Sequence, residues 1–164
     1  MKAIVYTSNT GHTAKYAYIL SNETNLPAYS LKEGKKYIKT GEDIIYLGWV
    51  SANTIKGYKS ANKKYNISAV CAIGLCETGA QIPELRKINK ISNDILLFTM
   101  QGGIDKPKLR GINKFMIKML IKSLTSQNNR NENDERMLRM ITIDKCYVCK
   151  ENTSSFMDWY KNNK

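Results

Sequence analysis

The chain has 164 residues, 42% of them hydrophobic and 24% charged, enough for one ordinary domain with a core of its own. No apolar run approaches the roughly 20 residues that span a bilayer, the N-terminus lacks the order of a secretory signal, and four cysteines are too few for a disulfide scaffold. With 26 Lys+Arg against 14 Asp+Glu the net charge is +12, which favours acidic partners and leaves the fold open.

Ala3-Ile4-Val5-Tyr6 is a short β-rich run, and Ala14, Ala17, Tyr18 and Ile19-Leu20 fall near the spacing of a helix over about 13–23. Residues 26–31 form a candidate second strand. Asp43-Ile44-Ile45-Tyr46-Leu47-Gly48-Trp49 is a largely apolar run, as in a strand covered on both faces. A helical stretch is expected over 54–65, then a buried strand from Ser68 to Gly74, a helix around 82–91 and a strand over 94–99. Strands that alternate with helices argue for βαβ units, a parallel sheet and right-handed crossovers, hence an α/β three-layer sandwich. Its ligands bind beyond the carboxyl ends of the strands, at the switch point of strand order. The loops after Tyr6, Trp49 and Gly74 are therefore the places to look.

Beyond the fifth strand, residues 107–125 read as a long basic and apolar helix, 126–134 as a polar, Asn-rich mobile loop, and 135–140 as a short helix. Thr153 or Ser154 is expected to cap a last helix that reaches Tyr160. Neither a repeat nor a linker divides the sequence. Residues 1–164 are read as one domain with a basic helical insertion at about 105–145.

Thr7-Ser8-Asn9-Thr10-Gly11-His12-Thr13 stands between a strand and a helix. The first N–H groups of a helix lack internal partners and carry the positive end of its dipole, so a phosphate there is stabilised without Lys or Arg. Gly11 lets the backbone approach closely, and the hydroxyls of Ser8, Thr10 and Thr13 can add hydrogen bonds. The simpler reading is helix capping, which needs only one hydroxyl.

Ser8-Asn9-Thr10-Gly11-His12-Thr13 resembles the flavin mononucleotide (FMN) phosphate loop of flavodoxins. The segment Gly111-Ile112-Asn113-Lys114-Phe115-Met116-Ile117-Lys118-Met119-Leu120-Ile121-Lys122 resembles the insertion of the flavodoxin-like protoporphyrinogen oxidases. The resemblance implies a flavodoxin-like α/β/α sandwich with a five-stranded parallel sheet of order 2-1-3-4-5, one noncovalent FMN, and one- or two-electron transfer. Ser8, Asn9, Thr10, Gly11, His12 and Thr13 would hold the phosphate. The ring would lie between Trp49, Val50, Ser51, Ala52 and Asn53 on one side and Cys76, Glu77, Thr78 and Gly79 on the other. Both ring loops depart from the flavodoxin pattern. Ala52 and Asn53 occupy the usual platform positions, and the fourth-strand loop has no aromatic residue. Trp49 is either the stacking partner or a core tryptophan that closes its strand.

The expected function is electron transport by a cytoplasmic FMN protein with an acidic redox partner. The alternatives are an FMN-dependent oxidoreductase like the protoporphyrinogen oxidases and a flavin-free interaction module of the same fold. His12, the sole histidine, is read as a surface side chain whose backbone matters more than its ring. Cys146 and Cys149 form a C-x-x-C pair, either a redox dithiol or half of a zinc site, with zinc the weaker reading because Cys71 and Cys76 have the wrong spacing. In the basic helix, Leu109, Ile112, Met116, Met119 and Leu120 form an apolar stripe, widened by Phe115, Ile117 and Ile121, amid Lys106, Lys108, Arg110, Lys114, Lys118 and Lys122. The stripe either packs on the domain or meets an anionic membrane surface or a partner groove, through residues of about 106–124. Nucleic acid is not expected, because no binding motif accompanies the charge.

Overall fold

The computed structural model describes residues 1–127, 129–143 and 145–163. Strands β1 (Ala3–Thr7), β2 (Ala28–Ser30), β3 (Asp43–Ser51), β4 (Thr54–Ile55), β5 (Asn66–Gly74) and β6 (Leu96–Gln101) alternate with helices. The helices are α1 (His12–Thr24), α2 (Leu31–Tyr37), α3 (Tyr58–Asn62), α4 (Ile82–Asn89), α5 (Gly111–Thr125), α6 (Glu132–Thr142) and α7 (Ser154–Asn162). The sheet runs β2-β1-β3-β5-β6 with every pair parallel, and β4 adds an antiparallel hairpin to β3. Counted without that hairpin strand, the order is the expected 2-1-3-4-5 of a flavodoxin-like sandwich.

Alternate residues of each strand point to opposite faces. Val5, Ile44, Tyr46, Val70 and Leu97 pack with Tyr58, Ala61 and Leu85 on one face of the sheet. Ile4, Ile45, Leu47, Cys71 and Met100 pack with Tyr16, Ala17 and Leu20 of α1 and Phe156 and Tyr160 of α7 on the other. Burial on both faces is why β3 and β5 read as unbroken apolar runs.

The helix expected over 54–65 is shorter and starts later. Ala52 (φ 46°) and Asn53 (φ 57°) are both left-handed, a two-residue hairpin turn that folds Thr54–Ile55 back onto β3. Helix α3 begins only at Tyr58, after Gly57. Helix α2 was not expected. Its start carries a capping box, in which Ser30 Oγ accepts from Glu33 N and Glu33 Oε2 accepts from Ser30 N.

The loop expected over 126–134 is curtailed, since α6 starts at Glu132 and runs past the expected 135–140. Asn131 Oδ1 accepts from Asp134 N at 2.8 Å, and three acids sit in the first turn. Asn128 of that loop lies outside the described residues, as does Lys164 at the end of the expected domain. Thr153 does not cap α7; its hydroxyl donates to Lys150 O at 2.7 Å. Helices α5 and α6 form a hairpin around a small core of their own that includes Ile104, Leu109, Leu124 and Ile141. Among the described residues, no helix is long and apolar enough to cross a membrane.

Candidate functional site

The carboxyl ends of β1, β3, β5 and β6 open into a cleft of about 410 Å³. Of the residues expected in the flavin site, all except Gly11, Thr78 and Gly79 line it. Thr78 and Gly79 instead tie their loop to β6. Thr78 Oγ1 accepts from Gln101 N at 3.1 Å, and Gly79 N donates to Thr99 O at 3.3 Å.

At one end of the cleft lies the loop that leads into α1. Gly11 is the N-cap, with φ 105° and ψ −17°. No atom stands within 4 Å of where its Cβ would be, so the loop is open on that side. Ser8 Oγ accepts from the N–H groups of Gly11 (3.2 Å) and Ala14 (3.4 Å). One hydroxyl thus does the capping, and two further threonines border the same helix end.

His12 is not a surface side chain. It is buried, with Nδ1 3.2 Å from Thr10 Oγ1. Its ring abuts Gly103, where an added Cβ would come within 3.1 Å of Nε2 and would collide with the Lys145 carbonyl. Cys146 pairs with the same Gly103 in an isolated bridge. The close approach of three segments here requires the glycine.

One wall of the cleft is the β3–β4 hairpin. Trp49 is half-buried and lines the cleft, so it does not close a core strand. The opposite wall is the loop after β5. Cys76 there is half-buried, and burial together with the Glu77 charge pushes its thiol above the ordinary range, which keeps it neutral. Thr99 Oγ1, also at the cleft, is buried and has no hydrogen-bond partner.

The third wall was missed from sequence. It comes from α5, α6 and the segment before them, through Ile104, Leu109, Asn113, Met116, Leu120 and Met137. The only signal was the excess of apolar residues in 107–125 over what one narrow face needs. The stripe, read as either packed on the domain or turned to a surface, divides: Ile112, Met116, Met119 and Leu120 are exposed and Leu109 is buried. Ile117 and Ile121, which widen the stripe, pack together with Leu124.

Cys71 is buried in β5, and desolvation drives its thiol strongly upward. Cys146 and Cys149 are free thiols that do not line the cleft, and Lys15 Nζ donates to Cys146 Sγ at 3.7 Å. Among the described residues, no group of His, Cys, Asp or Glu is arranged to hold a metal ion.

The donor set fits FMN. A glycine cradle at the N-terminus of a 13-residue helix suits a dianionic phosphate, and the cleft beyond it offers Trp49 and aliphatic side chains to a planar ring. No family model, no curated protein and no solved structure matches the chain.

Proposed function

We propose that this protein binds one FMN noncovalently in the cleft and carries electrons in the cytoplasm to an acidic redox partner. The observation that carries this reading is the convergence of the Ser8–Thr13 loop, the Trp49 hairpin and the Cys76–Glu77 loop on one cleft at the switch point of the sheet.

In this reading, backbone N–H groups at the start of α1 hold the phosphate, with the hydroxyls of Ser8, Thr10 and Thr13 around it. Trp49 stacks on the ring, and the Thr99 hydroxyl donates to a ring or ribityl oxygen. FMN, when bound, supplies the one- or two-electron chemistry. The net charge of +12 favours the more negative redox state and so raises the reduction potential above that of an acidic flavodoxin. Each ~1.4 kcal/mol of such preference is worth about 59 mV for a one-electron couple.

A second reading, an FMN-dependent oxidoreductase resembling the protoporphyrinogen oxidases, is favoured by the third wall. Met116, Leu120 and Met137 extend the cleft beyond the ring loops and leave apolar room for a substrate.

The test is the visible spectrum of freshly purified protein, followed by FMN titration of any colourless fraction. Flavin bands that survive desalting, or quenching of both FMN and Trp49 fluorescence at near-equimolar protein, are expected. A colourless protein that leaves FMN fluorescence unchanged overturns the reading. Turnover of a porphyrinogen by the loaded protein would favour the oxidoreductase.

A further inference from the structure

Three sets of side chains divide the surface of α5. Ile117, Ile121 and Leu124 turn inward and pack with Leu109 and Met137. Lys114, Lys118 and Lys122, spaced i, i+4 and i+8, form an exposed rail. Ile112, Phe115, Met116, Met119 and Leu120 form a third stripe turned to solvent, with Ile112 73% exposed, Phe115 62% and Met119 49%. At 3.6 residues per turn, this stripe lies between the lysine rail and the cleft, which Met116 and Leu120 also border.

We infer that α5 lies flat on a bilayer surface containing anionic lipid, with its exposed apolar stripe in the headgroup–acyl boundary and the mouth of the cleft beside it. The inference stands on the surface of α5 and is independent of FMN. A 15-residue helix is about 22 Å long, too short to span but ample to lie in the interface. Lysines at the edge of the stripe reach lipid phosphates while their stems stay against the acyl boundary.

Charge and shape select this occupant. From Lys106 to Leu124 the sequence carries no carboxylate, so a second copy would set like charge against like on the same face. Nucleic acid would engage the lysines and leave the apolar stripe in water. An acidic protein would need a groove matched to a convex helix, whereas a lipid boundary needs no such match. A continuous exposed stripe of this kind marks an interaction surface.

The test is flotation of the full chain with vesicles of phosphatidylcholine alone and of phosphatidylcholine containing phosphatidylglycerol, at low and high salt. Two variants accompany it: Phe115→Ser with Met119→Ser, and Lys114→Gln with Lys118→Gln and Lys122→Gln. All five positions are exposed, and circular dichroism checks that each variant stays folded. Binding is expected on the anionic vesicles and to weaken with salt. Each lysine removed should lower the partition roughly fivefold. The apolar double change should lower it by about tenfold or more at unchanged net charge.

Four outcomes overturn the inference: no flotation, equal binding to neutral vesicles, binding that the apolar change leaves intact, or a dimer in light scattering that the same change dissolves. Capture of soluble polyglutamate without vesicle binding assigns the face to acidic proteins instead. Failure to bind FMN has no bearing on any of these readouts.

Discussion

The side-chain amide of Asn89, the last residue of α4, holds the turn residue Asn53, with Nδ2 donating to Asn53 O at 2.8 Å. Its Oδ1 accepts from Ile55 N at 2.7 Å, and Nδ2 also reaches Leu85 O at 2.8 Å. One amide thus satisfies backbone groups in the turn and on β4, and fastens to α4 the hairpin that carries Trp49. Removal of this clasp should cost more than a surface contact would.

In Asn89→Ala, the N–H of Ile55, a residue only 2% exposed, loses its acceptor. An orphaned, partly buried donor costs about 1–3 kcal/mol, and the carbonyl of Asn53 loses its partner at the same time. Urea denaturation should show a loss of about 2 kcal/mol or more. FMN affinity should fall with it. Unchanged FMN binding in a destabilised variant would remove the hairpin from the flavin site.

Ala52→Gly should do the opposite. Ala52 is held at φ 46°, where its Cβ crowds the following carbonyl. Glycine adopts this region freely, so the change should stabilise the hairpin by about 1 kcal/mol, a rise in Tm of roughly 2–4 °C for a chain of this size. Scanning calorimetry reads this directly, and a lower Tm would mean that the turn is not left-handed.

The same turn marks where sequence reading stopped. Strands β1, β3, β5 and β6 were legible because burial on both faces leaves unbroken apolar runs. The loop from Ser8 to Thr13 was legible because hydroxyls around a glycine at a strand–helix junction have a stated use. Ala52-Asn53 lacks the glycine that marks most tight hairpin turns, so the returning strand Thr54–Ile55 reads as the start of a helix. The Ser30-x-x-Glu33 capping box is the one sign of α2 in the sequence. The burial of His12 is not legible in the sequence, because only the fold brings Gly102-Gly103 against it. For α5, periodicity gave an apolar stripe but could not say which of its three faces packs.

Thr99 separates stability from binding. Its hydroxyl is buried at the cleft without a partner, and such a group carries its desolvation penalty in the ligand-free protein. Thr99→Val keeps the shape and removes that penalty, so the ligand-free protein should gain up to about 1 kcal/mol. If the hydroxyl serves a ligand, FMN affinity should fall by roughly fivefold to tenfold, the worth of one hydrogen bond. Thermal melts with and without FMN read both quantities. A variant that is more stable and binds FMN as before would leave Thr99 without a role in the site.

Tyr46 ties the end of β1 to the residue that follows β4 and gives stability a pH dependence of known sign. Its hydroxyl lies 2.7 Å from Lys56 O, to which it donates, and 2.8 Å from Thr7 Oγ1, from which it can accept. Burial raises the phenol well above its ordinary value, and the Thr7 hydrogen bond offsets only part of this. Below the unfolded phenol's pKa of about 10, both states are protonated and the contribution of Tyr46 to stability is fully present. As pH rises past that point the unfolded chain ionises first, so stability falls by up to about 1.4 kcal/mol per pH unit from this group alone. Tyr46→Phe should lose about 1 kcal/mol near neutral pH, because Lys56 O and Thr7 lose their partner. Because the variant lacks the alkaline slope, the gap between the two proteins should close and then reverse as pH approaches about 11. Urea midpoints across that range test it: a gap that stays constant would mean that Tyr46 titrates alike in the folded and unfolded chain.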